Sequence, residues 1–375
     1  MFGRIFRRFA DRRRIKIRSS YARDGEKEEA QSQSHVIADI AQARCRNAKF
    51  FFSASPLSWS NLSILIAYYL DNFSPFMLKL GPSFGIRWYG FSYLLAFFCG
   101  FLLLRWLAQH RYCALPVAKV GDFILVASLG VVVGGRLGYV LFYRPAQIFS
   151  DPLFIFRIWD GGMSSHGGMI GLTLVTFFYA RRERIPWLSL ADNIAVVAPV
   201  GLFLGRCANF INGELYGRAA TIAWAMQFPK EALDLPEVGT RTLAAARAVQ
   251  PGIGNLEQVI EQARTDSGLQ SVLHQTLTPR HPSQLYEALL EGAFLFSCLW
   301  FLRTRTRQPR GMLAGLFLLL YALVRIIVEY FREPDAPLTG PFTRGQTLSV
   351  ILIVGGICFV TYALRTRNYE AAQRG

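Results

Sequence analysis

Residues 190–218 read LADNIAVVAPVGLFLGRCANFINGELYGR. The run 190–209 is mostly apolar, and it ends on Arg206 and Asn209, with Asn212 and Glu214 just beyond. About 20 such residues carry a helix across the hydrocarbon core of a bilayer. A spanning helix that finishes on an arginine and an asparagine has spent stability on polar groups at one end. That ending sets the two questions of the chain: how many such helices there are, and what their polar ends do together.

Six more runs of the same kind lie near 89–108, 121–143, 166–180, 284–302, 311–331 and 346–364. The run 166–180 is short for a span. The stretch 64–84 is broken by Asp71, Asn72, two prolines and Lys79, and reads as an amphipathic interfacial arm over 62–84. The expected fold class is an all-α polytopic membrane protein. It has seven transmembrane helices: four over 85–209 and three over 284–364. A small head of mixed α/β structure occupies 210–283, where TIAWAMQF (221–228) alternates as a strand does. Residues 1–61 carry 13 basic and 6 acidic side chains and read as a basic, disordered extension. No apolar core follows its first arginines as a signal peptide requires.

Composition agrees. Of the 375 residues, 52% are AVILMFWYC and 18% are charged, whereas soluble domains are about a quarter charged. The net charge of +16 alone would allow a nucleic-acid partner. Its distribution does not: the excess sits in the extension and in short loops beside apolar runs, so no nucleic-acid partner is expected. The six scattered cysteines form no CxxC pair and read as core residues, with no metal and no cofactor implied. Glycines four apart (Gly134/Gly138, Gly167/Gly171, Gly201/Gly205, Gly311/Gly315) read as close helix contacts.

Loop charge orients the bundle. Arg111, Lys119, Arg181, Arg182, Arg184, Arg303, Arg305, Arg307, Arg310, Arg365, Arg367 and Arg374 fall on one side, whereas the short loops 144–165 and 332–345 hold two basic residues each. The first side is cytoplasmic. The C-terminal tail 365–375 is then inside and the N-terminus outside, although the basic extension itself favours the opposite side. With this topology Tyr89, Arg136, His166, Arg206, Asn209, Glu214, His281, Ser283, Glu287, Arg325 and Glu329 all fall toward the outer ends of their helices. They describe one polar cavity opening at the outer leaflet. Several guanidinium groups suit a phosphate, and a phospholipid headgroup is the phosphate available at that depth. Arg325 and Glu329, four apart, share a helix face. Ser283 is a candidate helix cap and His281 a hydrogen-bonding or helix-entry residue. The sequence holds no GxSxG, HExxH or Walker loop, which favours attack by a substrate nucleophile. A lipid transporter using the same cationic cavity, or an assembly protein, is the competing class.

GGRLGYVLFY (134–143), WDGGMSSHGGMIG (159–171), GRCANFINGELYGR (205–218), RHPSQLYE (280–287) and RIIVEYFREPD (325–335) together resemble the prolipoprotein diacylglyceryl transferases. The resemblance runs from about 64 to about 364, in order. It implies seven transmembrane helices, a periplasmic head and residence in the bacterial inner membrane. It also implies transfer of the sn-1,2-diacylglyceryl group of phosphatidylglycerol to the lipobox cysteine of a preprolipoprotein, with glycerol phosphate leaving. By position, Arg206 matches the phosphatidylglycerol-binding arginine, Arg325 a second essential arginine, and His166 the HGG histidine. Tyr89, Asn209, Glu214 and Gly217 match other sensitive positions, and Glu329 matches the acidic partner on the sixth helix. Residues 1–61 have no counterpart in a typical member.

On that reading Arg206 and Arg325 hold the phosphate, while Asn209, Glu214 and Tyr89 orient the lipid. His166 takes the thiol proton, with Glu214 or a lipid phosphate oxygen as alternative acceptors.

Overall fold

The computed structural model describes residues 68–81, 85–157, 161–334 and 343–368. The extension expected over 1–61, parts of the 62–84 arm and residues 369–375 lie outside them. Seven long helices carry the fold: α1 (Trp88–Gln109), α2 (Val120–Tyr143), α3 (Ser165–Arg182), α4 (Trp187–Ile211), α8 (Ser283–Arg305), α9 (Met312–Glu329) and α10 (Arg344–Thr366). Six of these are long and apolar enough to cross a membrane; α3 falls short of that standard. The protein is a multi-pass membrane protein.

Several helices start at a recognisable cap or stop. Ser164 caps α3, its Oγ accepting from the Gly167 amide. Pro186, extended, precedes α4. Thr343 and Gln346 form a reciprocal capping box at α10. The cap of α9 comes from another helix. Buried Asp192 on α4 accepts from the amides of Gly311 (2.7 Å) and Ala314 (2.8 Å), satisfying orphan donors where a negative charge is favoured.

Two of the four expected glycine pairs are close-packing devices, and so is Gly315 of a third, whose partner Gly311 instead takes a positive φ before α9. A Cβ on Gly134 would lie 2.5 Å from the Gly167 carbonyl oxygen, and one on Gly138 would lie 2.6 Å from the Gly167 Cα. So α2 and α3 meet backbone to backbone. Gly315 on α9 similarly faces α10, where a Cβ on it would lie 3.0 Å from the Gly356 carbonyl oxygen. The pair Gly201/Gly205 differs: Gly201 faces only the Ala96 Cβ at 3.7 Å, and a Cβ on Gly205 would meet nothing within 4 Å.

The region between α4 and α8 is mostly helical. It holds strand β4 (Met226–Gln227) and helices α5 (Pro236–Val249), α6 (Leu256–Gln262) and α7 (Ser267–Thr276). These enclose Ala246, Val259, Leu269 and Leu273. The strand expected over 221–228 shrinks to its last part, because the Ala225 amide bonds back to the Ile222 carbonyl and closes a turn. Part of the arm joins this head. Strand β1 (Tyr69–Leu70) pairs parallel with β4, and Leu70 enters the same core. Further along, β2 (Phe76–Lys79) pairs antiparallel with β3 (Gly85–Arg87), and β3 leads directly into α1.

Candidate functional site

Successive spans alternate in direction, so the end of α4, the start of α8 and the end of α9 meet. Arg206 and Asn209 are about one turn apart on α4. Glu287 and Glu291 are four apart on α8, and Arg325 and Glu329 four apart on α9, so each pair shares a face. Arg206 places Nη1 3.0 Å from Glu287 Oε2 and Nη2 3.1 Å from Glu291 Oε2. Arg325 donates from Nη1 to Glu287 Oε1 at 2.8 Å, and its Nη2 lies 2.9 Å from Glu329 Oε2. Arg332 donates to the same Glu287 Oε1 at 2.7 Å.

This corrects one expectation. The site is not a cavity with surplus positive charge, because Arg206, Arg325 and Arg332 face Glu287, Glu291 and Glu329. Charges held in a medium of low dielectric require such pairing. The pairing is one-sided, however. The side chains of Glu287 and Glu291 have no exposure, whereas those of Arg206 and Arg325 keep 17% and 12%. The carboxylates are the covered side of the cluster, and the arginines keep what exposure it has. Gly205, with nothing beside its Cβ position, adjoins Arg206 in the chain.

A second constellation continues from α4 to α1. Tyr89, on the first turn of α1, donates to Glu214 Oε2 at 3.1 Å and accepts from Asn209 Nδ2. Glu214 sits just past the end of α4, its amide bonded to the Asn209 carbonyl (2.9 Å). Its own carbonyl accepts from Gln284 Nε2 at 2.7 Å. Lys230 Nζ is 3.9 Å from Glu214 Oε1. The sequence motif around Arg206 thus folds into a continuous polar wall.

A family model described as prolipoprotein diacylglyceryl transferase matches residues 75–362. The chain belongs to the prolipoprotein diacylglyceryl transferase family. Among its relatives is a protein of Bdellovibrio bacteriovorus, 38% identical over 82% of this chain and 97% of its own. Another, from Serratia proteamaculans, is 41% identical over 80% of this chain and 96% of its own. A third, from Burkholderia mallei, is 42% identical over 78% and 96%. All three are named phosphatidylglycerol–prolipoprotein diacylglyceryl transferase.

In this diacylglyceryl transferase family member His166 stands apart from the arginine cluster. It lies half-buried in the first turn of α3. Among the described residues no hydrogen bond or ion pair joins it to Arg206 or Arg325. Arg136 does not line the arginine site either. It is buried, and its guanidinium group binds the carbonyls of Phe154, Ile155, Gly161 and Gly162. It thereby fixes the loop that leads to His166, where Gly161 and Gly162 both have positive φ.

Gly217 is a packing position. Its amide donates to the His281 carbonyl (2.9 Å), and a Cβ would lie 2.4 Å from the Phe331 carbonyl oxygen. Glu329, besides holding Arg325, packs against Gly345 of α10, whose Cβ would lie 2.6 Å from Glu329 Oε2. Ser283 is not a cap: Pro282 occupies that place, and Ser283 Oγ donates to the Leu215 carbonyl at 2.9 Å. His281 bonds through Nδ1 to the Tyr286 hydroxyl (3.2 Å), and burial holds its imidazole below the usual pKa. Asp71, at the end of β1, is buried near Gly213, and burial pushes its carboxyl up to about 7. Among the described residues no group of three or more His, Cys, Asp or Glu could hold a metal.

Sequence reasoning missed Glu291. The signal was available: a carboxylate in the apolar run ALLEGAFLF (288–296), four residues after Glu287, is costly unless it has a partner.

Proposed function

We propose that this protein transfers the sn-1,2-diacylglyceryl group of phosphatidylglycerol to the lipobox cysteine of a preprolipoprotein, forming a thioether. Family membership over residues 75–362 supports the reaction class. The observation that carries the site is the pair Arg206–Arg325, held by fully buried carboxylates and itself partly exposed. Guanidinium groups held in this way present their remaining N–H donors to one phosphate.

The reaction requires an acceptor for one proton and a stabiliser for one leaving group. The cysteine S–H gives up its proton, and the thiolate attacks C3 of the glycerol backbone. The C3–O bond breaks, and its electron pair leaves with glycerol phosphate. Arg206 and Arg325 stabilise the charge gathering on that phosphate, a preorganised contribution of about 2.7–4 kcal/mol per donor in comparable sites. Tyr89, Asn209 and Glu214 orient the headgroup beside them, and Gly217 and Glu329 hold the loop and the clamp in place. His166, held at the first turn of α3 by the packing of Gly167 against α2, is the proton acceptor. Histidine is the side chain most often used as a general base.

The site faces the periplasmic leaflet of the bacterial inner membrane. Seven helices span, with α3 as the shortest crossing, and the head over 210–283 is periplasmic. The C-terminus is cytoplasmic and the N-terminus periplasmic. The loop-charge asymmetry supports this orientation.

The test is a product assay. Purified protein is mixed with phosphatidylglycerol and a synthetic lipobox peptide, and the peptide is weighed by mass spectrometry. The expected result is a diacylglyceryl mass gain on cysteine. Folded protein that gives no such product, or that modifies a Cys→Ser peptide equally, sinks the proposal.

A further inference from the structure

We infer that Glu291 is a positioning residue for the transfer reaction, setting the plane of the Arg206 guanidinium group and its spacing from Arg325. The inference rests on the assignment of those two arginines to the lipid phosphate.

The geometry is specific to this side chain. Glu291 Oε2 accepts from both Nε (3.3 Å) and Nη2 (3.1 Å) of Arg206, a two-point contact along one edge of the guanidinium plane. Its other oxygen, Oε1, accepts from Arg325 Nη1 at 3.4 Å. One carboxylate thus holds both arginines, one per oxygen. Glu287 also reaches both, but Arg332 shares its Oε1 and it meets Arg206 through Nη1 alone. Glu329 holds Arg325 only. A two-point contact fixes orientation as well as distance.

The backbone beneath Glu291 is held equally closely. Ala288–Phe294 is a π-helical segment within α8, a local widening found often at functional sites. The next residue, Gly292, presses on α4: a Cβ there would lie 2.6 Å from the Phe203 Cβ and 2.8 Å from its Cα. Phe203 is three residues before Arg206. The helix that carries the carboxylate and the helix that carries the arginine are therefore in contact within one turn of both groups.

Charge makes the role testable. Glu291 contributes one of three carboxylates facing three arginines. Glu291→Gln keeps the shape, removes one negative charge and turns an amide toward one arginine. An anionic headgroup then meets a more positive but misaligned clamp. The expected result is a KM for phosphatidylglycerol at least threefold lower and a kcat at least tenfold lower, in protein whose melting midpoint is within a few degrees of wild type. A purely structural role lowers kcat with the folded fraction and leaves KM alone. A KM that stays or rises, or a kcat within twofold of wild type, overturns the inference. If E291Q does not fold, Glu291→Asp decides. It keeps the charge but is one methylene too short to bridge both arginines, so kcat falls at least tenfold at a KM within twofold; a kcat near wild type overturns the inference. Arg206→Lys serves as the reference. Its retaining full activity removes the underlying site assignment, whereas an inactive R206K beside a normal E291Q removes only the role of Glu291.

Discussion

Arg206 stands 3.0 Å from Glu287, a carboxylate with no solvent exposure, while its own side chain stays partly exposed. A residue so placed serves fold and chemistry at once, and the choice of substitution separates the two. Arg206→Ala takes one cation from two buried carboxylates, leaving Glu287 to Arg325 and Arg332 and Glu291 to Arg325 alone; the loss is below the ~3–5 kcal/mol of a fully broken buried pair. Arg206→Lys keeps the charge and gives up the planar fork. The expected outcome for R206K is a melting midpoint close to wild type and a transfer rate about 10²–10³ lower, the loss typical of one preorganised donor. Mass spectrometry of the peptide product measures it.

Among the described residues no side-chain hydrogen bond or ion pair holds His166, so His166→Gln is expected to keep the fold. His166→Gln should lower kcat by about 10²–10⁴, the usual worth of a positioned acid–base group. Turnover near wild type would assign the thiol proton to Glu214 or to the lipid phosphate.

Tyr89 links Asn209 to Glu214 through one hydroxyl. Tyr89→Phe leaves the buried Asn209 amide short of an acceptor, which costs about 1–3 kcal/mol, and takes one donor from the partly exposed Glu214. The expected effect is a roughly five- to hundredfold fall in kcat/KM for phosphatidylglycerol, with KM for the peptide unchanged.

Gly217→Ala asks whether that position acts through packing. The added Cβ would lie 2.4 Å from the Phe331 oxygen and 2.6 Å from the His281 oxygen. Both are backbone atoms, and overpacking of this kind costs about 1–3 kcal/mol. A lowered melting midpoint is expected, with activity lost in parallel. A midpoint equal to wild type with activity abolished would point to direct contact with substrate.

Asp71 makes the docked arm sensitive to pH. Its carboxyl is raised from 3.8 to about 7, chiefly by burial, with the Phe73 amide and Arg264 opposing. Between those values the unfolded chain is ionised while the folded one keeps its proton. Its contribution is fully present below pH 4 and is lost as pH rises through 7. Asp71→Asn should therefore flatten the fall in thermal stability between pH 5 and pH 8. Wild type and D71N with identical pH profiles in a melting series would refute this.

The seven long helices were legible because apolar runs contrast sharply with their loops; α4, expected over 190–209, spans Trp187–Ile211. The convergence of Arg206, Asn209 and Arg325 followed from alternating direction alone. What hydropathy could not convey was partnership. Glu291 lies inside an apolar run, and its match with Arg206 spans 85 positions of sequence. The cationic surplus expected from arginines alone disappears once their carboxylates are paired in space. Short amphipathic helices such as α6 and α7 were hidden in the polar stretch 210–283, where no run reaches spanning length. Ser283 looked like a cap by residue type, but its hydroxyl goes to Leu215, 68 positions earlier.

The glycine seam between α2 and α3 has a mechanical consequence. With Gly134 and Gly138 against the backbone at Gly167 and Gly171, the closest contacts between the two helices are backbone atoms, which no change of rotamer can move aside. They travel as one rigid body, and His166, at the start of α3, travels with them. The flank of α4 at Gly205 carries no such lock, because nothing lies within 4 Å of its Cβ position.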